Sequence, residues 1–182
     1  MRVRLRETAD FNSLYTSIYD HTRWADHKVR VQVTAGMAAW FPGVQTCADL
    51  SCGDGAIMKL IEEKNGVGRS YYGDYVPGYE FTGPIEKTIN EIPNVDLFIL
   101  SETIEHLENP DAVLAQIRQK TRYLILSTPD GETGTDNPEH LWGWDNEEMK
   151  SMLQIAGFTP HTYVSLSFPI NPYYTFQIWG CA

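Results

Sequence analysis

Cys47-Ala48-Asp49-Leu50-Ser51-Cys52-Gly53-Asp54-Gly55 is the stretch of sequence that decides the fold. It joins an apolar run over 46–50, predicted to be a strand, to a segment over 56–63 whose apolar residues recur at helical spacing. Glycines at 53 and 55 would let backbone N–H groups and the helix N-terminus approach a ligand without obstruction by side chains. A Gly-x-Gly also occurs in ordinary turns, so the stretch predicts the opening of a βαβ unit and leaves its ligand open.

A carboxylate follows this glycine turn at an informative distance. Asp74 lies nineteen residues after Gly55, at the end of a second predicted strand over 70–74. An acid about 20 residues beyond the glycines binds the ribose hydroxyls in a nucleotide-binding βαβ unit. The spacing fits a nicotinamide dinucleotide as well, but Met58 occupies the third glycine position of Gly-x-Gly-x-x-Gly and would obstruct a diphosphate. The pattern therefore favours a ribose-containing ligand other than NAD.

Strands and helices alternate along the rest of the chain. Two helices are expected before residue 45, and a terminal hairpin is expected to add an antiparallel strand at the sheet edge. This order predicts an α/β fold of the Rossmann-like, doubly wound type, with a mostly parallel sheet. The later predicted elements are strands over 95–100 and 123–126, helices that begin after Asn109 and Asp145, and extended segments over 162–168 and 174–179.

Length and composition fit one globular unit. We expect a single domain over 1–182, with an N-terminal helical cap over 1–45 and a cofactor-binding core over 46–182. The longest apolar run, over 95–100, is far shorter than the roughly 18 residues that span a membrane. The three cysteines have neither disulfide-framework nor metal-site spacing. The expectation is a cytoplasmic protein without a membrane partner.

Charge is distributed unevenly. The formal net charge is −10, yet the first 30 residues carry six Lys and Arg against four Asp and Glu. An acidic body repels phosphate backbones, which disfavours nucleic acid as a partner, although the basic start of the chain leaves that partner open. A small molecule is therefore the expected partner, and the sequence leaves the oligomeric state open.

The glycine turn also resembles a family motif. Asp49 to Gly55 is similar to the Asp-x-Gly-x-Gly-x-Gly motif of class I S-adenosylmethionine-dependent methyltransferases, with Ser51 in place of the first glycine. The resemblance covers about residues 45–182. The other segments that carry it are Gly73-Asp74, Val95 to Leu107, and Leu126-Ser127-Thr128-Pro129.

The resemblance implies S-adenosylmethionine as the cofactor and a seven-stranded sheet. In the family the glycine turn lies under the methionine part of the cofactor, and the acid that matches Asp74 holds the ribose. The residues that match Ser101 and Glu102 lie on the other side of the bound cofactor. The residues thus implied to bind the cofactor are Asp49, Ser51, Cys52, Gly53, Gly55, Asp74, Ser101 and Glu102.

The chain departs from the family after Asp74. The family usually has a full helix and strand there, whereas here only residues 75–82 precede Gly83, so the helix is expected to be missing. Pro84 stands where relatives often have an acid that binds the adenine amino group. We therefore expect the backbone near Ile85 to hold the adenine and Tyr75 to cover it.

A Glu-x-x-Glu-His segment follows the predicted central strand. Glu102, Glu105 and His106 would share one face of a helix at the sheet edge where ligands bind, and His140 lies farther along the chain. Two carboxylates and two imidazoles could hold Mg²⁺, Mn²⁺ or Zn²⁺. The set resembles the metal site of small-RNA 3′-end 2′-O-methyltransferases, and the same segment occurs in ubiquinone-pathway O-methyltransferases. The alternative is that the first acid orients the cofactor and the histidine contacts substrate.

These features predict methyl transfer from S-adenosylmethionine to a small molecule, at oxygen rather than nitrogen or carbon. An oxygen nucleophile must lose its proton, and His106 or His140 is the candidate catalytic base. Two alternatives remain open: a metal-dependent RNA or nucleotide 2′-O-methyltransferase, and a non-catalytic cofactor-binding subunit.

Overall fold

The computed structural model describes residues 1–134, 137–169 and 171–182, without the side chains of 171–173. Seven strands form one sheet and two form a small antiparallel ribbon. The strands are β1 (Arg2–Arg4), β2 (Thr46–Asp49), β3 (Arg69–Asp74), β4 (Phe81–Thr82), β5 (Val95–Ser101), β6 (Thr121–Pro129), β7 (Trp142–Trp144), β8 (Pro160–Phe168) and β9 (Asn171–Cys181).

Capping residues set the helix ends. The side chain of Asn109 accepts a hydrogen bond from the backbone N–H of Ala112, and that of Asp145 accepts one from Glu148, which confirms both predicted helix starts.

None of the helices in the described residues is both long and apolar enough to cross a membrane. The helices are α1 (Phe11–Leu14), α2 (Ala25–Met37), α3 (Ala56–Asn65), α4 (Ile85–Thr88), α5 (Pro110–Lys120) and α6 (Asn146–Ile155), with 3₁₀ turns at Ala38–Trp40 and Ile104–His106.

The large sheet has the order β4-β3-β2-β5-β6-β9-β8, and all neighbours as far as β6 are parallel. The predicted seven-stranded, mostly parallel α/β sheet is thus confirmed. The expected edge position of the antiparallel strand is wrong, because β9 pairs antiparallel with both β6 and β8 and lies between them. Burial gives the reason: β9 is buried continuously over 176–181, whereas β8 alternates between half-buried and exposed residues, as an edge strand does.

Helices cover both faces of the sheet. On one face α2 and α3 pack Val31, Ala35 and Ile61 against the strands. On the other, α5 and α6 pack Leu114 and Met149 among others. Part of the predicted N-terminal cap, α2, therefore belongs to a helical layer of the sheet, and the segment before α2 is what lies over the sheet edge.

The N-terminal segment differs from the prediction of two helices. Its first helix is the single turn α1, and the residues before it form β1, which pairs with β7. Arg2 and Arg4 stack their guanidinium groups on Trp142 at 4.3 and 4.4 Å from the ring centroid. These contacts hold the start of the chain against β7.

The shortened region after β3 is confirmed. Residues 75–80 contain no helix, and β4 follows at once and pairs with the end of β3 through Gly73 and Asp74.

The predicted hairpin turn over 169–172 includes Ile170, which lies outside the described residues.

Candidate active site

A cavity of about 1130 Å³ opens where the parallel strands end. Its walls come from the glycine turn, the ends of β3 and β5, the segment around α4, and the N-terminal segment that covers them. Ligands of open α/β sheets bind at this edge, because the loops that follow parallel strands converge there. The cavity therefore lies where the sequence predicts the site.

The glycine turn and Asp74 are joined directly. The backbone N–H of Gly53 donates to Asp74 Oδ2 at 2.8 Å, and that of Val76 donates to Oδ1 at 3.0 Å. Gly53 has a φ of +53°, and a Cβ there would lie 2.5 Å from His21 Nε2. The positive φ and the lack of space for a Cβ both require glycine at this position. Each carboxylate oxygen of Asp74 keeps acceptor capacity toward the cavity that the residue lines.

Asp49 and Cys52 lie behind the turn rather than in the cavity wall. Both are buried, and Asp49 Oδ1 accepts the backbone N–H of Ser51 at 3.0 Å. Burial raises the pKa of the Asp49 carboxyl to about 7, against the opposing effect of that hydrogen bond. Ser51 does line the cavity, and its Oγ accepts a hydrogen bond from Thr103 Oγ1 at 2.8 Å. Of the predicted turn residues, Ser51 and Gly53 thus line the cavity, and Asp49 supports the turn.

The residues predicted to surround the adenine lie together. Tyr75, Pro84 and Ile85 all line the cavity. The Tyr75 ring lies 5.7 Å from that of Tyr15, and its hydroxyl donates to Asn12 Oδ1 at 2.8 Å. Two residues of the N-terminal segment therefore hold Tyr75 in place over this part of the cavity.

The predicted helical face of Glu102, Glu105 and His106 is wrong. Glu102 has a φ of +51°, and only a short 3₁₀ turn, Ile104–His106, follows it. A non-glycine residue in the left-handed region is strained and is a mark of functional sites. Glu102 Oε1 accepts from Ser127 Oγ at 2.9 Å and Oε2 accepts from Tyr174 at 3.3 Å. The carboxylate still lines the cavity, but it is drawn toward β6 and β9.

Glu105, His106 and His140 converge on one point of the cavity wall. Glu105 is 1% exposed; its Oε2 accepts from Thr128 Oγ1 at 2.9 Å, and its Oε1 has no hydrogen-bond partner among the described residues. His106 Nε2 lies 3.6 Å from that oxygen. Burial, with the charge of Glu102, raises the pKa of Glu105 above its ordinary value.

The two histidines differ in what their ring nitrogens do. His106 Nδ1 lies 3.0 Å from the carbonyl oxygen of Glu139 and must donate to it, which leaves Nε2 with a lone pair. His140 donates from Nδ1 to Glu132 at 2.7 Å and accepts at Nε2 from the Asn137 amide at 3.0 Å. Although burial lowers the pKa of His140, that bond to Glu132 and nearby carboxylate charges raise it overall. His106 is therefore the better placed of the two candidate bases.

The predicted four-residue metal site is only partly assembled. One ligand atom each of Glu105, His106 and His140 lie within 4.8 Å of one another, and Glu102 is not among them. Ligands of one tetrahedral ion stand about 3.4 Å apart, given bonds of about 2.1 Å. His140 would also have to release Asn137 to bind through Nε2. The cluster would need to close and lose a hydrogen bond to hold a divalent ion.

We accordingly expect the methyl transfer that the sequence predicts to be independent of a metal ion. After dialysis against EDTA, turnover should stay within about twofold of the untreated protein, because the three groups are not preorganised for an ion. The measurement is initial rate before and after dialysis, with Mg²⁺, Mn²⁺ or Zn²⁺ added back separately. A loss of more than about tenfold that one of these ions restores would contradict the expectation.

Sequence reasoning missed Arg30. This α2 residue is fully buried and lines the cavity. It donates to Ser101 Oγ and, at 3.0 Å, to His21 Nδ1, and no carboxylate of the described residues lies within 4 Å of it. Ser101 is thus turned toward Arg30 instead of the cavity. A signal was present, since Asp26, Arg30 and Thr34 form a polar i, i+4, i+8 stripe on the buried face of α2.

An unpaired guanidinium is costly to bury. Arg30 Nε has no hydrogen-bond partner in the described part of the chain, and His21, which accepts from Arg30, packs on Gly53. Burial and the charge of Arg30 together lower the pKa of His21 to about 3, so this imidazole is neutral and does not compete for an anion. The arrangement provides a binding position for an anionic group of a ligand beside the glycine turn.

Comparisons with known proteins agree with the fold. No family model and no curated protein matches the chain. The N-methyltransferase NodS from Bradyrhizobium japonicum WM9, solved with S-adenosylhomocysteine, matches with a TM-score of 0.73 at 10% identity, over 94% of this chain and 96% of that one. The 1,6-didemethyltoxoflavin-N1-methyltransferase of Burkholderia thailandensis, solved with its substrate and S-adenosylhomocysteine, matches with a TM-score of 0.69 at 14% identity, over 88% and 79%.

A third match is the putative methyltransferase of Haloferax volcanii solved with the activator Trm112, with a TM-score of 0.67 at 17% identity over 96% of this chain and 98% of that one. At such identities the similarity concerns the fold. The chain has the class I S-adenosylmethionine-dependent methyltransferase fold, as the motif resemblance implied.

Proposed function

We propose that the chain transfers a methyl group from S-adenosylmethionine to a small molecule bound in the same cavity. The observation that carries this is the meeting, in one cavity, of an acid joined to a glycine turn, Asp74, and an unpaired buried cation, Arg30. S-adenosylmethionine has ribose hydroxyls in its nucleoside half and a carboxylate in its methionine half. The third glycine of a dinucleotide-binding turn allows close packing of the helix on the strand, whereas here that position is Met58, whose side chain is buried in the core.

When bound, S-adenosylmethionine supplies an electrophilic methyl on a sulfonium. The residues around it hold the donor and exclude water. Asp74 would bind the ribose and Arg30 the carboxylate, and the N-terminal segment excludes water, which together orient the reacting atoms. Glu105 and His106 face the remaining part of the cavity.

The sequence favours an oxygen nucleophile, and a hydroxyl becomes reactive only after it loses its proton. His106 Nε2 has a free lone pair that can accept this proton, and it lies 3.6 Å from Glu105 Oε1. Tyr15 stands edge-on to the His106 ring at 6.1 Å and limits its rotation. The base is therefore held by Tyr15 and by its hydrogen bond to Glu139.

The proposal is tested by calorimetric binding of S-adenosylmethionine, S-adenosylhomocysteine and NAD to the full chain. We expect the first two to bind with micromolar or better dissociation constants and NAD to bind at least 100-fold more weakly. Binding of NAD alone would contradict the proposal. A protein that binds the donor but transfers no tritiated methyl to any acceptor in a broad metabolite panel would correspond to a non-catalytic cofactor-binding subunit.

Arg30→Met tests the donor's carboxylate end. It should weaken S-adenosylmethionine binding by about 10- to 100-fold, because a charge-assisted hydrogen bond is lost. Binding of 5′-methylthioadenosine, which lacks the carboxylate, should change less than threefold. The unliganded variant should melt at the same or a higher temperature, because an unpaired buried charge is replaced by an apolar side chain.

The matched control for this variant is Arg69→Met, which removes an exposed arginine stacked on Tyr71 at 4.9 Å. It should leave both affinities unchanged. Equal losses for S-adenosylmethionine and 5′-methylthioadenosine in Arg30→Met would show that Arg30 does not bind the carboxylate.

A further inference from the structure

Two hydrogen-bond acceptors face the cavity without a donor. Glu105 Oε1 is buried and has no partner in the described residues, and His106 Nε2 carries a lone pair because its Nδ1 donates to Glu139. The two atoms are 3.6 Å apart. A buried carboxylate oxygen without a partner is costly, so a ligand that brings donors here is stabilised strongly.

A suitable ligand group has at least two donor hydrogens on one atom. A hydroxyl has a single hydrogen and can satisfy only one of the two acceptors. An amine or ammonium nitrogen has two or three and can donate to both at once. The 3.6 Å separation is compatible with one nitrogen at about 2.9 Å from each oxygen and nitrogen acceptor.

The charges around Glu105 and His106 also favour a cationic ligand. Of the described residues that line the cavity, seven are Asp or Glu and two are Lys or Arg. One of the two, Arg30, is held beside the glycine turn through His21, and no Lys or Arg of the described chain lies within 4 Å of Glu105. A phosphate or carboxylate would be repelled at this position, whereas a cation would be attracted.

Aromatic rings complete the surroundings. Tyr15 lies edge-on to His106 at 6.1 Å and Tyr75 lies 5.7 Å from Tyr15. Tyr174 lines the same cavity. Aromatic faces beside carboxylates are a favourable environment for a substituted ammonium group.

We infer that the methyl acceptor is an amine, bound as its ammonium form with N–H groups donated to Glu105 Oε1 and His106 Nε2. The inference rests on the proposed function and specifies nitrogen in place of oxygen. His106 Nε2 takes one proton from the ammonium, and the freed lone pair forms the N–CH₃ bond as the S–CH₃ bond breaks. The electron pair of that bond stays on sulfur, giving the neutral thioether, and His106 later releases its proton to solvent.

Charge development in the reaction agrees with this choice. The amine nitrogen becomes positive as it is methylated, and the carboxylates of Glu105 and Glu102 stabilise that charge. An oxygen nucleophile would instead become negative before transfer and would be destabilised by the same carboxylates. The acceptor half of the cavity is therefore matched to nitrogen.

The test uses three probes of similar shape: benzylamine, benzyl alcohol and benzoate. Each is titrated at neutral pH into the full chain saturated with S-adenosylhomocysteine, and the affinity for S-adenosylhomocysteine is measured on the same preparation. We expect benzylamine to bind at least tenfold more tightly than either other probe. Glu105→Gln, which removes the charge and keeps the shape, should reduce that preference to less than threefold. Glu91→Gln, the same change at an exposed glutamate that does not line the cavity, should leave it intact.

Preference for the alcohol or benzoate, or no binding of benzylamine, in wild-type protein that binds S-adenosylhomocysteine overturns the inference and leaves the proposed function standing. The wild-type comparison decides this even if Glu105→Gln does not fold. Saturable Mn²⁺ binding that depends on Glu105, without amine preference, also overturns it and assigns the cluster to a metal. Failure to bind S-adenosylhomocysteine at all would refute the proposed function itself.

Discussion

Asp74→Asn is expected to weaken S-adenosylmethionine binding by about 10- to 150-fold, or roughly 1.5–3 kcal/mol, the value of a hydrogen bond to a charged group. The asparagine keeps one acceptor oxygen and turns the other into a donor. That donor faces either the backbone N–H of Gly53 or that of Val76, both of which now donate to the carboxylate. The ribose contact and the geometry of the glycine turn are therefore lost together.

The measurement is calorimetric titration with S-adenosylmethionine and with 5′-methylthioadenosine. Both contain the ribose, so both should weaken, in contrast to the selective loss expected for Arg30→Met. Asp96→Asn is the matched control, because the Asp96 carboxylate also accepts two backbone N–H groups, from Gln45 and Thr46 at 2.9 Å, but at the opposite edge of the sheet. Asp96→Asn should bind both ligands with wild-type affinity even if its melting temperature falls. Wild-type affinity in Asp74→Asn would contradict the ribose assignment.

His106→Asn is expected to lower turnover by about 10²- to 10⁴-fold, the usual contribution of a positioned general base. The asparagine amide can still donate to the Glu139 carbonyl, so the local fold is retained while Nε2 is removed. Burial lowers the pKa of His106 to about 3, so the imidazole is neutral near pH 7 and its Nε2 lone pair is free. Affinity for S-adenosylmethionine should change less than threefold, because the donor is held by other residues.

The lowered pKa also predicts a pH effect on stability. His106 is unprotonated in the folded state and binds a proton in the unfolded state below about pH 6.5. Its contribution to stability is therefore complete above pH 6.5 and is lost as pH falls toward 3. The drop in melting temperature from pH 7 to pH 5 should be smaller in His106→Asn than in the wild type.

His161→Asn serves as the control for both measurements, because His161 is exposed on β8. It should leave turnover and the pH dependence of stability unchanged. If His106→Asn retained wild-type turnover while His140→Asn lost it, the roles assigned to the two histidines would have to be exchanged.

Local sequence was sufficient for much of the scaffold. The strand, glycine turn and helix around Gly53, the capped starts at Asn109 and Asp145, and the position of Asp74 were all predicted. Each depends on interactions within a few residues or on the fixed length of a βαβ unit, which side-chain type and spacing report directly. The missing helix after Asp74 was visible for the same reason, because eight residues leave no room for it.

The chemistry of the cavity depended on contacts distant in sequence. Arg30 becomes a ligand-binding candidate only because α2 buries it beside Ser101, 71 residues away. The sequence does not distinguish His106 from His140 as a base. In the structure, Glu139, Glu132 and Asn137 hydrogen-bond to three of the four ring nitrogens, and only His106 Nε2 is left available.

The sequence by itself determined the class of fold and the place of the glycine turn, because backbone geometry and apolar spacing are local properties. Only the tertiary structure decided that Glu102 turns away from Glu105, and that Glu105 Oε1 and His106 Nε2 are left facing the cavity without a donor. Hydrogen-bond satisfaction is a property of the whole packed interior, so which polar atoms remain available for a ligand is fixed only when every distant partner is in place.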